Sequence, residues 1–256
     1  MINIENAKEV FKEYVNKYDA YNGKVALKIS HILRVSEISK NIAQKNNLTK
    51  EEQDLAELIG LLHDIGRFEQ VKLYNTFVDV KSVNHAELGV KILFEDGLIR
   101  KFIDDTKYDN IIKSAILNHN KGDITPNISE EELKFSKIIR DADKVDIFHV
   151  LVTEELEDIY GCSDFSEDLI TKEIFEEFCN NKRIDYKNRK TTADIWVSHM
   201  AYIYDFNFDY CLRKIKYEGY IEKLLKRVNF KNKETIYLSN EIVRLANEYM
   251  NNILKQ

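Results

Sequence analysis

The stretch Leu61-Leu62-His63-Asp64-Ile65-Gly66 places a histidine directly before an aspartate inside an otherwise apolar segment. Burying an imidazole and a carboxylate side by side costs free energy unless another group compensates for the lost water. A metal ion is the usual compensation, because it ligates both side chains at once. The stretch therefore indicates a buried metal site, and the remaining ligands must come from other parts of the chain.

The composition favours long helices. The chain has 256 residues and is 44% hydrophobic, yet it holds one proline and eight glycines. Sandwiches and barrels of β-strands need many tight turns, which this composition does not supply. We predict an all-α fold in which residues 1–256 form a single helical domain, with the part after about residue 160 as an extension packed on the same core.

Local signals place the helices. Thr49 and Glu52 have the spacing of a capping box, and Gly66 is typical of a helix end. Residues 67–84 are predicted to be irregular, with Phe68 exposed, and Ser129 is predicted to cap a long helix. The predicted helices cover about residues 4–18, 24–46, 49–66, 85–94, 108–118 and 130–158, and further helices begin near residues 166, 192 and 234.

Four of the six histidines lie on apolar faces of different predicted helices. His31, for example, shares its face with Leu27 and Val35. A lone histidine on such a face is more often a hydrogen-bonded core residue than a ligand, and we keep that interpretation for His149 and His199. Burying four imidazoles and two carboxylates independently in a helical core would be costly, so a shared metal site explains the set together. Its members are His31, His63, Asp64, His85, His119 and Asp143.

This ordered set resembles the HD-domain superfamily of metal-dependent phosphohydrolases. The segment Ile139-Arg140-Asp141-Ala142-Asp143-Lys144 looks like the last element of the family pattern, with Asp143 as the ligand and Asp141 as the alternative. The resemblance covers about residues 24–150, which would be the core, and leaves the extension at about 160–256 uncovered. No Gly-Tyr-Pro element follows His119, which argues against the cyclic-dinucleotide phosphodiesterases of the HD-GYP branch.

The resemblance implies a site for two divalent metal ions. One ion would be held by His31, His63, Asp64 and Asp143, and Asp64 would bridge to a second ion held by His85 and His119. Nitrogen and oxygen ligands without a thiolate suit iron, manganese, zinc or nickel, and the sequence does not select among them. A hydroxide that bridges the two ions would be the nucleophile, so that Asp64 belongs to the catalytic machinery.

Substrate contacts are predicted at three positions near the ligands. Arg67 would contact a phosphate at the mouth of the site and assist catalysis, although a cation that stabilises a helix C-terminus is an equal alternative. Lys144 and Asp146 flank Asp143 and would also bind the substrate. The basic run at residues 183–190 is better explained as a solvated surface than as a second phosphate site.

The most specific function that the sequence supports is a metal-dependent phosphohydrolase for a nucleotide or another small phosphate ester. The alternatives are a diiron oxygenase similar to inositol oxygenase, and a non-catalytic sensor or scaffold that keeps the metal for folding. A net charge of −6 argues against a nucleic-acid or membrane-surface partner. The chain has three cysteines without a CxxC pair, which predicts free thiols. It has no apolar run long enough to span a bilayer and no signal-peptide pattern, so we predict a cytoplasmic location.

Overall fold

A computed structural model describes residues 2–19 and 23–255 of the chain, and within these ranges it contains helices and no strand. This confirms the predicted all-α fold. The chain divides into two compact units, the first ending at Asp143 and the second beginning at Lys144. The boundary falls inside a long helix. The single domain expected from the sequence stays a prediction.

The first unit carries eight α-helices among its described residues. Asn3 caps the first helix by accepting a hydrogen bond from the Asn6 amide, and Thr49 and Glu52 form the predicted capping box. A π-helix, Lys91–Glu95, directly continues the fifth helix. The helices are α1 Ile4–Val15, α2 Gly23–Lys45, α3 Lys50–Leu62, α4 Gly66–Tyr74, α5 His85–Val90, α6 Ile99–Phe102, α7 Asp109–His119 and α8 Glu130–Thr153, which continues into the second unit.

The second unit begins with the C-terminal part of α8, from Lys144 onward. Its core holds Trp196, Phe148 and Phe178, all of which are almost completely buried. Two of its helices, α12 and α13, were not expected from the sequence, and a left-handed Gly219 (φ 62°) separates them. The helices are α9 Leu156–Tyr160, α10 Lys172–Cys179, α11 Thr192–Met200, α12 Asp209–Glu218, α13 Tyr220–Arg227 and α14 Lys233–Leu254.

The close packing of α2 on α3 organises the first unit. A side chain at Gly60 would place its Cβ 2.6 Å from the Ser36 Cα, so only glycine allows this approach. The Ser36 hydroxyl also donates a hydrogen bond to the Glu57 carbonyl at 2.7 Å. This packing brings the middle of α2 beside the end of α3, where the His-Asp pair lies.

The segment after the His-Asp pair corrects four predictions. Gly66 does not end a helix but begins α4. Its lack of a side chain allows the close approach of the His85 carbonyl oxygen, which would lie 2.2 Å from a Cβ at this position. Residues 66–74 are therefore helical, and Phe68, expected to be exposed, is 1% exposed and packs against Phe11 and Tyr14. Arg67 lies in the first turn of α4, so it does not stabilise a helix C-terminus.

Smaller differences concern helix ends. The helix capped by Ser129 ends at Thr153, five residues before the predicted end at Asp158. Cys162, Cys179 and Cys211 are free thiols. Among the helices of residues 2–19 and 23–255, none has the length and apolar character needed to cross a membrane.

Candidate metal centre

The six predicted ligands come from five places in the first unit. His31 lies in the middle of α2, and His63 and Asp64 lie in the turn between α3 and α4. His85 is the first residue of α5, and His119 is the last residue of α7. Asp143 lies on α8. The four histidines and Asp64 are each at most 7% exposed, so the fold removes a polar cluster from water.

Asp64 lies at the centre of this cluster, with one carboxylate oxygen facing each pair of histidines. Its Oδ2 is 3.6 Å from the Nε2 atoms of both His31 and His63. Its Oδ1 is 3.2 Å from His85 Nε2 and 3.6 Å from His119 Nε2. The cluster therefore contains two groups of three metal-capable residues that share Asp64.

Asp143 lies beside the first of these groups. Its Oδ1 is 3.2 Å from His31 Nε2 and 3.9 Å from His63 Nε2, and about a fifth of its side chain is exposed. Asp141, the alternative ligand, is fully buried. The contacts of Asp143 with His31 and His63 favour Asp143 as the ligand.

Hydrogen bonds to backbone carbonyls set the tautomers of two histidines. His63 Nδ1 lies 2.8 Å from the Gly60 carbonyl oxygen, and His119 Nδ1 lies 2.6 Å from the Ile116 carbonyl oxygen. Because a carbonyl only accepts, both Nδ1 atoms must donate. The Nε2 atom of each neutral ring then carries a lone pair, which points into the cluster.

His85 has the same tautomer for a different reason. Its Nδ1 donates to the Asp79 carboxylate at 2.7 Å, so its Nε2 also carries a lone pair. That Nε2 lies 2.9 Å from His119 Nε2, which places two lone pairs against each other. Such a contact between neutral rings is repulsive, and a cation that accepts both lone pairs would make it favourable.

The protonation equilibria agree with neutral rings. Burial lowers the pKa of His63 to about 3 and that of His85 to about 4, although nearby carboxylates oppose both shifts. Burial alone would raise the pKa of Asp64, but the charge of Lys28 is the strongest influence that lowers it well below its ordinary value. Neutral imidazoles and ionised carboxylates are the forms that bind metal ions.

Two residues at this centre were missed by the sequence analysis. Lys28 Nζ donates to Asp64 Oδ2 at 2.6 Å, and its position one helical turn before His31 was the available signal. Asp79 accepts hydrogen bonds from His85, Arg67 and Gln70. No local pattern marks Asp79, because its place beside His85 depends on the path of residues 75–84.

Arg67 lies beside the centre, but its hydrogen bonds go to protein groups. Its Nη1 donates to Gln70 Oε1, the Phe77 carbonyl oxygen and Asp79 Oδ1 at 2.6 to 2.8 Å. Its Nε lies 3.4 Å from Asp64 Oδ1. These contacts hold the segment at residues 77–79 next to Asp64, and the predicted roles of Arg67 in substrate binding and catalysis stay predictions.

The other two predicted substrate contacts belong to the second unit. Lys144 Nζ donates to Asp205 Oδ2 at 2.5 Å and to the Asp205 carbonyl oxygen at 3.0 Å. Asp146 is 1% exposed. In the basic run at residues 183–190, Arg183 lies 3.7 Å from the same Asp205 carboxylate and Lys190 pairs with Glu173. Substrate binding by Lys144 and Asp146 remains a prediction.

The residues present fit a divalent cation. His63 Nε2 and Asp64 Oδ1 are buried, and no hydrogen-bond donor within residues 2–19 and 23–255 satisfies them. Together with the facing lone pairs of His85 and His119, they form a set of acceptors without donors. Nitrogen and carboxylate oxygen atoms of this kind are ligands of first-row transition metals.

Comparison with protein families supports this interpretation. Residues 29–147 match the family model described as HD domain. The match spans every predicted ligand. HD domains bind divalent metals, and the family consists mostly of metal-dependent hydrolases. Searches of curated proteins and of solved structures found no match to the chain.

Proposed function

We propose that the protein is a metal-dependent phosphohydrolase, a phosphatase or phosphodiesterase, with two ions in one site. The substrate would be a nucleotide or another small phosphate ester. The match of residues 29–147 to the HD domain family supports the hydrolase class. The observation that carries the dinuclear proposal is the position of Asp64, whose two oxygens face separate pairs of histidines at 3.2 to 3.6 Å.

In this proposal the chain divides the ligands between two positions. His31, His63 and Asp143 would hold the first ion, with Asp64 Oδ2. His85 and His119 would hold the second ion, with Asp64 Oδ1. Asp79 would keep the His85 lone pair directed inward, because it fixes the proton on Nδ1.

When bound, two such ions lower the pKa of a coordinated water and stabilise the negative charge that develops on a phosphoryl group. The protein supplies rigid ligands for this purpose, since its histidines are buried and fixed by hydrogen bonds to carbonyl or carboxylate oxygens. Cations in the site also explain how a chain with a net charge of −6 would attract an anionic substrate.

The test is hydrolysis of a panel of nucleotides and simple phosphate esters by protein loaded with Mn²⁺, Fe²⁺, Zn²⁺ or Ni²⁺. We expect activity that a chelator removes and that added metal restores. Asp64→Asn keeps the side-chain size but removes the shared negative charge, so it should lower kcat/KM by more than about 1000-fold and reduce binding of both ions. Asp109→Asn is the matched control, because Asp109 is an ion-paired aspartate of the same unit that pairs with Arg100.

Two outcomes would contradict the proposal. The first is the absence of chelator-sensitive hydrolysis with every metal and every ester. The second is oxygen consumption by the iron-loaded protein with diol substrates in place of hydrolysis, which would favour the oxygenase alternative.

A further inference from the structure

Lys28 donates a hydrogen bond directly to the shared carboxylate of Asp64, whose other oxygen lies 3.4 Å from Arg67 Nε. The Lys28 Nζ lies 2.6 Å from Asp64 Oδ2, and its side chain is 16% exposed. Lys28 lies three residues before His31, on the same face of α2. The ammonium group therefore approaches Asp64 from a position on α2 that lies one turn before His31.

The oxygen that accepts from Lys28 is also the oxygen that faces the first pair of histidines. Asp64 Oδ2 is 3.6 Å from the Nε2 atoms of His31 and His63. A cation bound by these two histidines and Oδ2 would share that oxygen with a full positive charge. Like charges at such short range repel strongly in a buried site, where the dielectric constant is low.

The ammonium group also lies beside an aromatic ring. Lys28 Nζ lies 5.4 Å from the centre of the Phe77 ring, and the Arg67 guanidinium lies 5.7 Å from the same centre. An aromatic face attracts a cation without requiring a carboxylate. The Phe77 ring therefore adds a second attraction for the ammonium group beside Asp64.

We propose that Lys28 is a resident counter-ion that neutralises Asp64 before metal loading and competes with the ion bound by His31 and His63. This inference rests on the proposed metal centre. It makes Lys28 a positioning residue with two opposite effects. It stabilises the metal-free protein, because a buried carboxylate without a partner is costly, and it weakens binding of the first ion.

The experiment compares Lys28→Met with Lys50→Met in chelated protein, by titration with Mn²⁺ in a calorimeter and by thermal unfolding. Lys50 is the matched control, since it pairs with Asp54 at 2.5 Å on the protein surface. We expect Lys28→Met to lower the Tm of the metal-free protein and to bind the first ion, held by His31 and His63, at least about tenfold more strongly than wild type. Lys50→Met should change neither quantity.

Two further variants keep the test decisive if Lys28→Met unfolds without metal. Lys28→Gln removes the charge but keeps a donor and should also bind Mn²⁺ more tightly, whereas Lys28→Arg should resemble wild type. Unchanged or weaker Mn²⁺ binding by Lys28→Met and Lys28→Gln would overturn the proposal. A wild-type protein that binds Mn²⁺ but hydrolyses no ester would contradict the proposed function alone, since this readout does not depend on turnover.

Discussion

The two units of the chain both remove histidines from water, but they satisfy them differently. In the first unit, His85 and His119 direct their Nε2 atoms at each other, 2.9 Å apart, beside the Asp64 carboxylate. In the second unit, His199 Nδ1 lies 3.4 Å from the Tyr160 hydroxyl, and its ring packs against Tyr202. The pKa of His85 and that of His199 are both lowered, so a lowered histidine pKa alone does not mark a metal ligand. A metal ligand is marked instead by several lone pairs that converge without a hydrogen-bond donor between them.

The largest expected effect separates His85 from His199. His85→Ala should remove one ion per chain, because it deletes a ligand of the proposed second position and leaves His31 and His63 in place. His199→Ala should leave the metal content unchanged and lower the free energy of unfolding by about 2 kcal/mol, from the cavity that it opens. Elemental analysis and chemical denaturation of both variants check these outcomes. Loss of metal from His199→Ala would remove the distinction between the two units.

A smaller effect is expected at Asp79, which contacts the cluster only through His85. Burial would raise the pKa of Asp79, but the hydrogen bond from His85 is the strongest influence that lowers it below its ordinary value. Asp79→Ala frees the His85 ring to change tautomer and should weaken binding of the second ion about 10- to 100-fold. Titration with Mn²⁺ measures this change. Equal weakening of both ions would show that Asp79 supports the whole fold of the site instead.

The smallest predicted effect is a pH dependence in the second unit. Burial, followed by the charge of Arg189, lowers the pKa of His199 to about 3. The unfolded chain, with a histidine pKa near 6.5, binds a proton below that pH while the folded protein does not. The stability is therefore fully present above pH 6.5 and falls as the pH decreases toward 3.

His199→Phe should remove this dependence. Between pH 7 and 5.5, chelated wild-type protein should lose about 1 kcal/mol more unfolding free energy than the variant does. Denaturant titrations at the two pH values measure the difference. An equal loss in both proteins would mean that His199 is protonated in the folded state.

The sequence predicted the parts of this molecule that depend on local patterns. The Thr49–Glu52 capping box is present, and the helices that carry His31 and His119 lie within a residue or two of their predicted ends. The six predicted ligands lie in one cluster, because each was chosen from an apolar face that must point inward. The sequence after residue 200 gave weaker signals for helices, and α12 and α13 were not predicted.

Features that depend on contacts between distant segments could not be predicted in the same way. Gly66 has the appearance of a helix end, but its lack of a side chain serves the approach of the His85 carbonyl oxygen. Phe68 was expected to be exposed because α4 was not recognised. Asp79 contacts His85 only after residues 75–84 fold back over α4, and Lys28 becomes informative only when Asp64 is placed beside it.

The most direct test of the central claim is the number of divalent ions bound per chain at saturation. Chelated wild-type protein, titrated with Mn²⁺ and checked by elemental analysis after removal of free metal, should bind two ions per chain. Asp64→Asn should lose both, because the aspartate contributes an oxygen to each position. Two ions retained by Asp64→Asn, or one ion at most bound by the wild type, would contradict a dinuclear site that is bridged by Asp64.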